Sequence, residues 1–485
     1  MSNVGLVAEG VKINCHLLRI ATGRVVADRK QHFALWRLLP NSARFGRRFF
    51  FRVMALPSAI WPGLTAKSAT MEGKAAAGAE GVSTALRPAA NRLLPVKARA
   101  GIPVATALQG SLRSTASLGG GEILLTVSGT IPESIASDVA QQRRPRADYL
   151  ELSRRLKADL LDYAKARSLT GAAGGWLETI AGSNVMLAYG CWLVRDRYRA
   201  IITDGEQVGL PLASLLKFSR GRRPRHIMIT HVISAAKKTL LLDVLGLVSQ
   251  IDTFVVYSSS QLEYLRRRWP MAEDQLALIP FMVDEEFFNP EKLVPMPVPR
   301  SRICAVGLER RDYPTLLKAV DGLDVDVVIA AASPWSKRKQ DLGSPDIPSN
   351  VTVKKFTQFE LRQLLADCEF SVMPLQPVDF QAGITAILEA MAMGKAVVCS
   401  EIPGQTDAIV NGETGRYVPA GDAAALRVEI MRLLSERDEI ARLGANARKA
   451  VVQEFGLNRY TERLSAIVDA ALNRAATADG LAILH

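Results

Sequence analysis

Glu389 and Gly383 are the first residues in this chain whose types and spacing suggest chemistry. The stretch Gln381-Ala-Gly-Ile-Thr-Ala-Ile-Leu-Glu389-Ala-Met-Ala-Met-Gly394 puts Ile384, Ile387, Leu388 and Met391 at i, i+3, i+4 and i+7. That spacing predicts one apolar face of a helix, ended by Gly394, with a short buried strand over Ala396 to Cys399. Such a helix aims its unpaired N–H groups and the positive end of its dipole at the loop around Gly383. Gly383, Ile384 and Thr385 are therefore candidate seats for a phosphate. At a rise of about 1.5 Å per residue, Glu389 stands roughly 9 Å up the helix, where it would meet hydroxyls attached to a diphosphate at the tip. A nucleotide sugar has that shape. The bland alternative is that helix-glycine-strand units recur throughout parallel α/β domains, and a helical glutamate is most often simply solvated.

The residues that follow sharpen the reading. Glu401-Ile-Pro-Gly-Gln-Thr-Asp-Ala-Ile-Val-Asn411-Gly-Glu-Thr-Gly415-Arg-Tyr-Val-Pro-Ala-Gly-Asp422 predicts turn, short helix, turn and strand, then a helix capped by Asp422. With the preceding segment, this resembles the carboxy-terminal half of retaining glycosyltransferases of family 4, which have the GT-B fold. In that family the loop and helix carry two glutamates with seven residues between them, one facing the donor sugar and one the ribose. Glu389 matches the second, and Gln381 stands at the first. Glutamine can hydrogen-bond a sugar hydroxyl but carries no charge to steady a developing oxocarbenium ion.

The resemblance extends upstream to Arg302-Ile-Cys-Ala-Val-Gly307-Leu-Glu-Arg310-Arg311-Asp-Tyr-Pro. The family places a glycine and a basic pair at such a strand end to clamp the donor diphosphate. Arg311 matches the lysine position of that pair, Leu308 occupies the place of the arginine that often follows the glycine, and Arg310 is a substitute for it. Guanidinium forks suit phosphate oxygens, and neutralising a departing diphosphate is the main electrostatic task in sugar transfer from a nucleotide. A solvated basic turn paired with Glu309 or Asp312 is the competing structural reading.

The elements that must position these residues follow from length and pattern. At 485 residues the chain exceeds a single core. Residues 121–295 are expected to form an acceptor domain. It would contain a buried strand from Glu122, an amphipathic helix over Asp148 to Arg167, and strands ending at Asp204 and at His231. The family commonly has a histidine near the reacting sugar, and His231 resembles it; a histidine satisfied by backbone is the alternative. Four prolines between Pro290 and Pro299 read as a linker. Residues 296–455 would form the nucleotide-sugar domain and 456–485 a closing helix and tail. The expected fold class is α/β, two Rossmann-like domains facing across a cleft.

Charge separates the first quarter from the rest. Residues 1–120 hold 17 Lys and Arg against 4 Asp and Glu, and the remaining residues hold 44 against 44. This basic, low-order extension argues for neither a core nor a nucleic-acid enzyme, although a nucleic-acid or anionic-membrane arm is a minority alternative. No run of about 18 apolar residues predicts a spanning helix. Cys15, Cys191, Cys304, Cys368 and Cys399 have neither paired nor metal-like spacing and suggest a reducing compartment. The expectation is a cytoplasmic hexosyltransferase, with peripheral contact to the inner face of a membrane left open. Its donor would be a nucleoside diphosphate sugar and its acceptor a hydroxyl of a glycan, lipid or small molecule. No metal is expected, because Asp324-Val-Asp326 leads into a strand instead of following one. A catalytically silent sugar-nucleotide binder of the same fold is the runner-up.

Overall fold

The structure is a computed structural model that describes residues 118–331, 347–405 and 407–482, with side chains through residue 474. The expected extension, residues 1–120, lies outside the described residues except for its last three positions. Two six-stranded sheets organise the remainder. The first contains β1 (Ile123–Thr126), β2 (Asp159–Leu161), β3 (Ala200–Asp204), β4 (Arg225–Thr230), β5 (Thr253–Val256) and β6 (Leu276–Leu278), in the order β2-β1-β3-β4-β5-β6. The second contains β7 (Arg302–Val306), β8 (Asp326–Ala330), β9 (Val351–Lys354), β10 (Ser371–Met373), β11 (Val397–Glu401) and β12 (Arg416–Pro419), in the order β12-β11-β10-β7-β8-β9. Every pairing in both is parallel.

Strand order decides where ligands can enter. The chain moves outward from β7 to β8 and β9, then returns to the other side of β7 as β10. The connections above β7 and β10 therefore diverge and leave a crevice at the carboxyl ends of those strands. The first sheet reverses in the same way between β1 and β3. The strands are short apolar runs, such as Ile-Cys-Ala-Val in β7, because both faces of a parallel sheet are covered.

One expected element is corrected. The predicted helix from Asp148 to Arg167 stops at Leu156, reverses at Lys157 with φ +50°, and becomes strand β2 before a new helix starts at Tyr163. Leu152, Leu156, Leu160 and Tyr163 keep helical spacing, yet Leu160 and Leu161 pair with Leu125 and Thr126 of β1. Satisfying a sheet edge outweighed the local period. Asp162 then caps the new helix by accepting from the Lys165 N–H at 2.9 Å.

The final helix, Leu457–Ala482, packs on the first sheet after the chain has built the second. Leu457, Tyr460, Leu464, Val468 and Ala471 follow one helical face and bury against Ile123, Leu125, Ile202 and Ile227. Arg146 donates from Nε and Nη2 to one oxygen of Asp284, Oδ1, at 3.0 and 2.7 Å, and ties the same junction together. No described helix is long and apolar enough to cross a membrane.

Candidate functional site

At the end of β7 the backbone turns at Gly307, whose φ is +101°, and passes Arg310 at φ +57° before the helix Tyr313–Val320 begins. The turn sends the Arg311 side chain back over the strand end instead of into water. Its Nε donates to the Val306 carbonyl at 2.9 Å and its Nη1 to the Glu309 carbonyl at 2.8 Å. The solvated-turn alternative, pairing with Glu309 or Asp312 carboxylates, is not what the structure contains. Arg311 is 9% exposed, and among the described residues no carboxylate lies within ion-pair distance. Burial pulls the guanidinium below its ordinary pKa.

Two glycines make room for that cation. A Cβ on Gly307 would lie 2.5 Å from Nη2 of Arg311, and one on Gly383 would lie 3.0 Å from both terminal nitrogens. Gly383 has φ +80° and stands at the N-cap of the helix Ile384–Ala392 with no side chain capping it. The guanidinium, the Gly307 turn and the open helix end therefore converge at the switch point of the second sheet. Ile384 is buried and Thr385 exposed on the first turn. Arg310 is half-buried beside them, its carbonyl accepting from the Gln376 N–H at 2.9 Å.

Glu389 is 7% exposed on this helix, and no hydrogen bond or ion pair from the described residues reaches its carboxylate. Burial alone pushes its pKa up to about 8. Gln381 is half-buried, with its Oε1 buried and unpartnered. The loop between them is propped by Gln405, whose Nε2 donates to the Ala382 carbonyl at 2.7 Å. Gly404 lies so close that a Cβ there would stand 2.1 Å from the Phe380 carbonyl oxygen.

The first sheet supplies a different cluster. His231, just past β4, shares a 3.3 Å contact with Asp204 at the end of β3, and its ring lies 5.4 Å from that of Tyr257. Burial lowers the imidazole pKa, but the hydrogen bond and charge of Asp204 outweigh it and raise the value. Asp148 faces the same pair, with its pKa raised to about 6 by burial and then by Asp204. Tyr257 meets Tyr460 of the final helix at 3.2 Å, hydroxyl to hydroxyl.

The two clusters face one another. Asp407, beyond β11, accepts from the Ser259 N–H at 2.9 Å and the Ser259 hydroxyl at 2.6 Å, beyond β5. Loops at the carboxyl ends of both sheets thus meet across the cleft. Sequence reasoning did not single out Asp148, Gln405 or Asp407. Asp148 sat at the start of an expected helix with nothing to mark it, and a contact 148 residues apart leaves no local trace. Among the described residues no group of His, Cys, Asp or Glu could hold a metal ion, and Asp324 and Asp326 both bond Arg300.

Two parallel-sheet α/β domains with their carboxyl ends opposed define the GT-B fold, and solved structures agree. The chain superposes on Anabaena Alr3699/HepE, solved with UDP and glucose, at TM-score 0.52 and 15% identity, covering 72% of this chain and 99% of that one. Sucrose-phosphate synthase tll1590 from Thermosynechococcus elongatus gives TM-score 0.52 and 16% identity, covering 73% and 100%. Residues 305–436 match the family described as glycosyl transferases group 1. Over 241 residues the chain is 27% identical to an MMP alpha-(1->4)-mannosyltransferase from Mycolicibacterium hassiacum, covering 47% of this chain and 56% of that one. It is 26% identical to the amylovoran biosynthesis glycosyltransferase AmsK of Erwinia amylovora over 158 residues, covering 32% and 39%. The match thus spans about half the length of the mannosyltransferase and less of AmsK.

Proposed function

We propose that the protein is a glycosyltransferase that moves a hexosyl group from a nucleoside diphosphate sugar to an acceptor hydroxyl, with retention of configuration. One observation carries this reading: a buried guanidinium, Arg311, has no anionic partner among the described residues and lies against the uncapped start of the helix that holds Glu389. A buried unpaired cation is costly, and an anion at this point would offset the cost. Arg311, Arg310, the Gly307 turn and the N–H groups of Gly383, Ile384 and Thr385 would hold the diphosphate. Glu389 would take the ribose hydroxyls. The family match over 305–436 and the mannosyltransferase similarity favour a hexosyl donor.

In the reaction the bond from the anomeric carbon to the diphosphate oxygen breaks and the electron pair leaves with the diphosphate, where Arg311 meets the growing charge. The acceptor oxygen bonds to the anomeric carbon, and its proton passes to the departing diphosphate. Gln381 would contact the donor sugar, and His231, held by Asp204, would orient hydroxyls at the reacting centre. Thermal shift across UDP-, GDP- and ADP-sugars, followed by NMR of the product's anomeric configuration, tests this reading. An inverted product would refute retention, and no stabilisation by any sugar nucleotide would refute the site.

Gln381 also favours a second reading, a sugar-nucleotide-binding protein without turnover, since the position that faces the donor sugar in the resembling family is uncharged here. Stabilisation by a sugar nucleotide without transfer to any acceptor would select it.

A further inference from the structure

His231 stands in a stretch that the first sheet does not hold. After β4 ends at Thr230, residues 231–235 are irregular until the helix Ala236–Leu245 begins, so neither a strand ladder nor a helix fixes the main chain there. Side chains from other elements hold it instead. Glu206, the first residue of the helix Glu206–Lys217, reaches across from beyond β3, and its Oε1 accepts from the Val232 N–H at 2.6 Å. Lys238 completes the grip, donating from Nζ to the Val232 carbonyl at 2.9 Å and standing 3.3 Å from Oε2 of Glu206. One ion pair thus holds both backbone groups of the residue after His231. Gln261, from the helix Ser259–Arg268, donates to the carbonyl of His231 itself.

Burial sets this carboxylate apart from an ordinary loop tether. Glu206 is 1% exposed, and taking its charge out of water costs free energy that a neutral side chain accepting the same N–H would avoid. The start of its own helix and the Lys238 ammonium offset that cost. The grip also supplies what Asp204 cannot. Asp204 touches only the tip of the imidazole, at 3.3 Å and in a wet setting, whereas orienting a hydroxyl requires the backbone beneath the ring to stay in place.

We propose that Glu206, with Lys238, is a positioning residue: it locks the Val232 peptide and so fixes where His231 meets the acceptor hydroxyl. The inference rests on the reading that His231 orients hydroxyls at the reacting centre. Five groups face the imidazole: Asp204, Glu206, Lys238, Asp148 from the helix Asp148–Leu156, and Tyr257 beyond β5. Burial lowers its pKa, the hydrogen bond and charge of Asp204 raise it, Glu206 raises it further, and Lys238 lowers it.

Opposite signs make the test. The full chain with labelled histidines is titrated by NMR, and His231→Ala assigns the signal among the five histidines. Glu206→Gln keeps an oxygen for the Val232 N–H but removes the charge, so the His231 pKa should fall. Lys238→Met removes the opposing charge, so it should rise. A loop that had only loosened would carry the ring away from Asp204 and lower the value in both variants. Downward shifts in both, or a shift in neither, would overturn the proposal.

Kinetics give the second readout. Glu206→Ala should lower kcat by about 10- to 100-fold with the donor KM within about twofold of the parent, and Glu206→Gln should recover most of the loss. In a His231→Ala background Glu206→Ala should cost nothing further, because its effect passes through the imidazole. A loss of the same size in that background would overturn the proposal, and if Glu206→Ala does not fold, the Gln and Met variants decide. The titration is read whether or not sugar is transferred, so an inactive parent counts against the transferase reading while the two pKa shifts still judge the positioning.

Discussion

Arg311 and Glu389 beneath the second sheet's crevice are 9% and 7% exposed, whereas Asp204 and His231 at the first sheet's strand ends keep 40% and 38% of their side-chain surface in solvent. The two halves of the cleft handle charge differently. The second half has taken a cation and a carboxyl out of water without giving either an ionic partner among the described residues, a state that costs free energy until something binds. The first half leaves Asp204 and His231 wet and paired with each other, at little cost. The buried half should therefore control affinity, and the exposed half should control how a bound hydroxyl is oriented.

Arg311→Ala should break this contrast most sharply. If the guanidinium meets charge that grows as the diphosphate departs, turnover should fall by about 10² to 10³, or roughly 3–4 kcal/mol. Binding of the nucleoside without phosphates should hardly change. Arg311→Lys would restore charge but not the two carbonyl bonds from Nε and Nη1, and should recover only part of the loss. Full turnover in Arg311→Ala, with Arg310→Ala equally active, would remove the clamp from the mechanism.

Glu389 comes next. Glu389→Ala should weaken nucleotide binding by about 1.5–3 kcal/mol in calorimetry, and unchanged affinity would take this residue out of the site. Its pKa gives a second signature. The folded value of about 8 exceeds the ordinary 4.5, so between those values the unfolded chain binds fewer protons than the folded one. Stability should then fall as pH rises through that window, by up to about 5 kcal/mol, and Glu389→Gln should flatten the dependence in urea titrations. If ribose hydroxyls bond the carboxylate, nucleotide binding should release a proton, visible as a buffer-dependent binding enthalpy.

A smaller effect is expected in the exposed half. Asp204 holds the imidazole of His231 above its ordinary pKa of 6.5, so the charged form is favoured in the folded state. That contribution to stability is complete below pH 6.5 and lost as pH rises through the folded value. Asp204→Asn should lower the His231 pKa measured by NMR and move the acidic limb of the turnover profile down with it. The nucleotide's dissociation constant should stay where it was.

The same contrast governs what could be read in advance. The two-domain α/β fold and the helix that carries Glu389 were legible because they rest on local features: apolar spacing, a glycine where φ must be positive, a carboxylate inside a helix. What Arg311 touches was not, since its burial depends on Gly383, brought against it from 72 positions away by the return of β10 beside β7. The helix expected through Arg167 failed for a related reason: the edge of β1 supplied Leu160 and Leu161 with partners that no window of sequence contains. The exposed half left still less of a trace, because Asp148, Asp204 and His231 belong to three separate segments and gain meaning only from their arrangement in space.

The weakest expected effect tests whether the halves are coupled. Asp407 accepts two bonds from Ser259 at the start of the helix Ser259–Arg268, so a carboxylate from one domain meets the positive end of a helix in the other. The pair is exposed, and exposed charge-assisted contacts contribute about 0.5–1 kcal/mol. Asp407→Ala should therefore leave melting nearly unchanged while letting the domains separate more often, seen as a larger radius of gyration in small-angle scattering of the nucleotide-free protein. Ser259→Ala in that background should add nothing, because the hydroxyl has already lost its acceptor, and Asp407→Asn should fall between the parent and Asp407→Ala. If the donor affinity of Asp407→Ala drops severalfold with the same scattering profile, the contact shapes the loop beside Gln405 and does not latch the cleft.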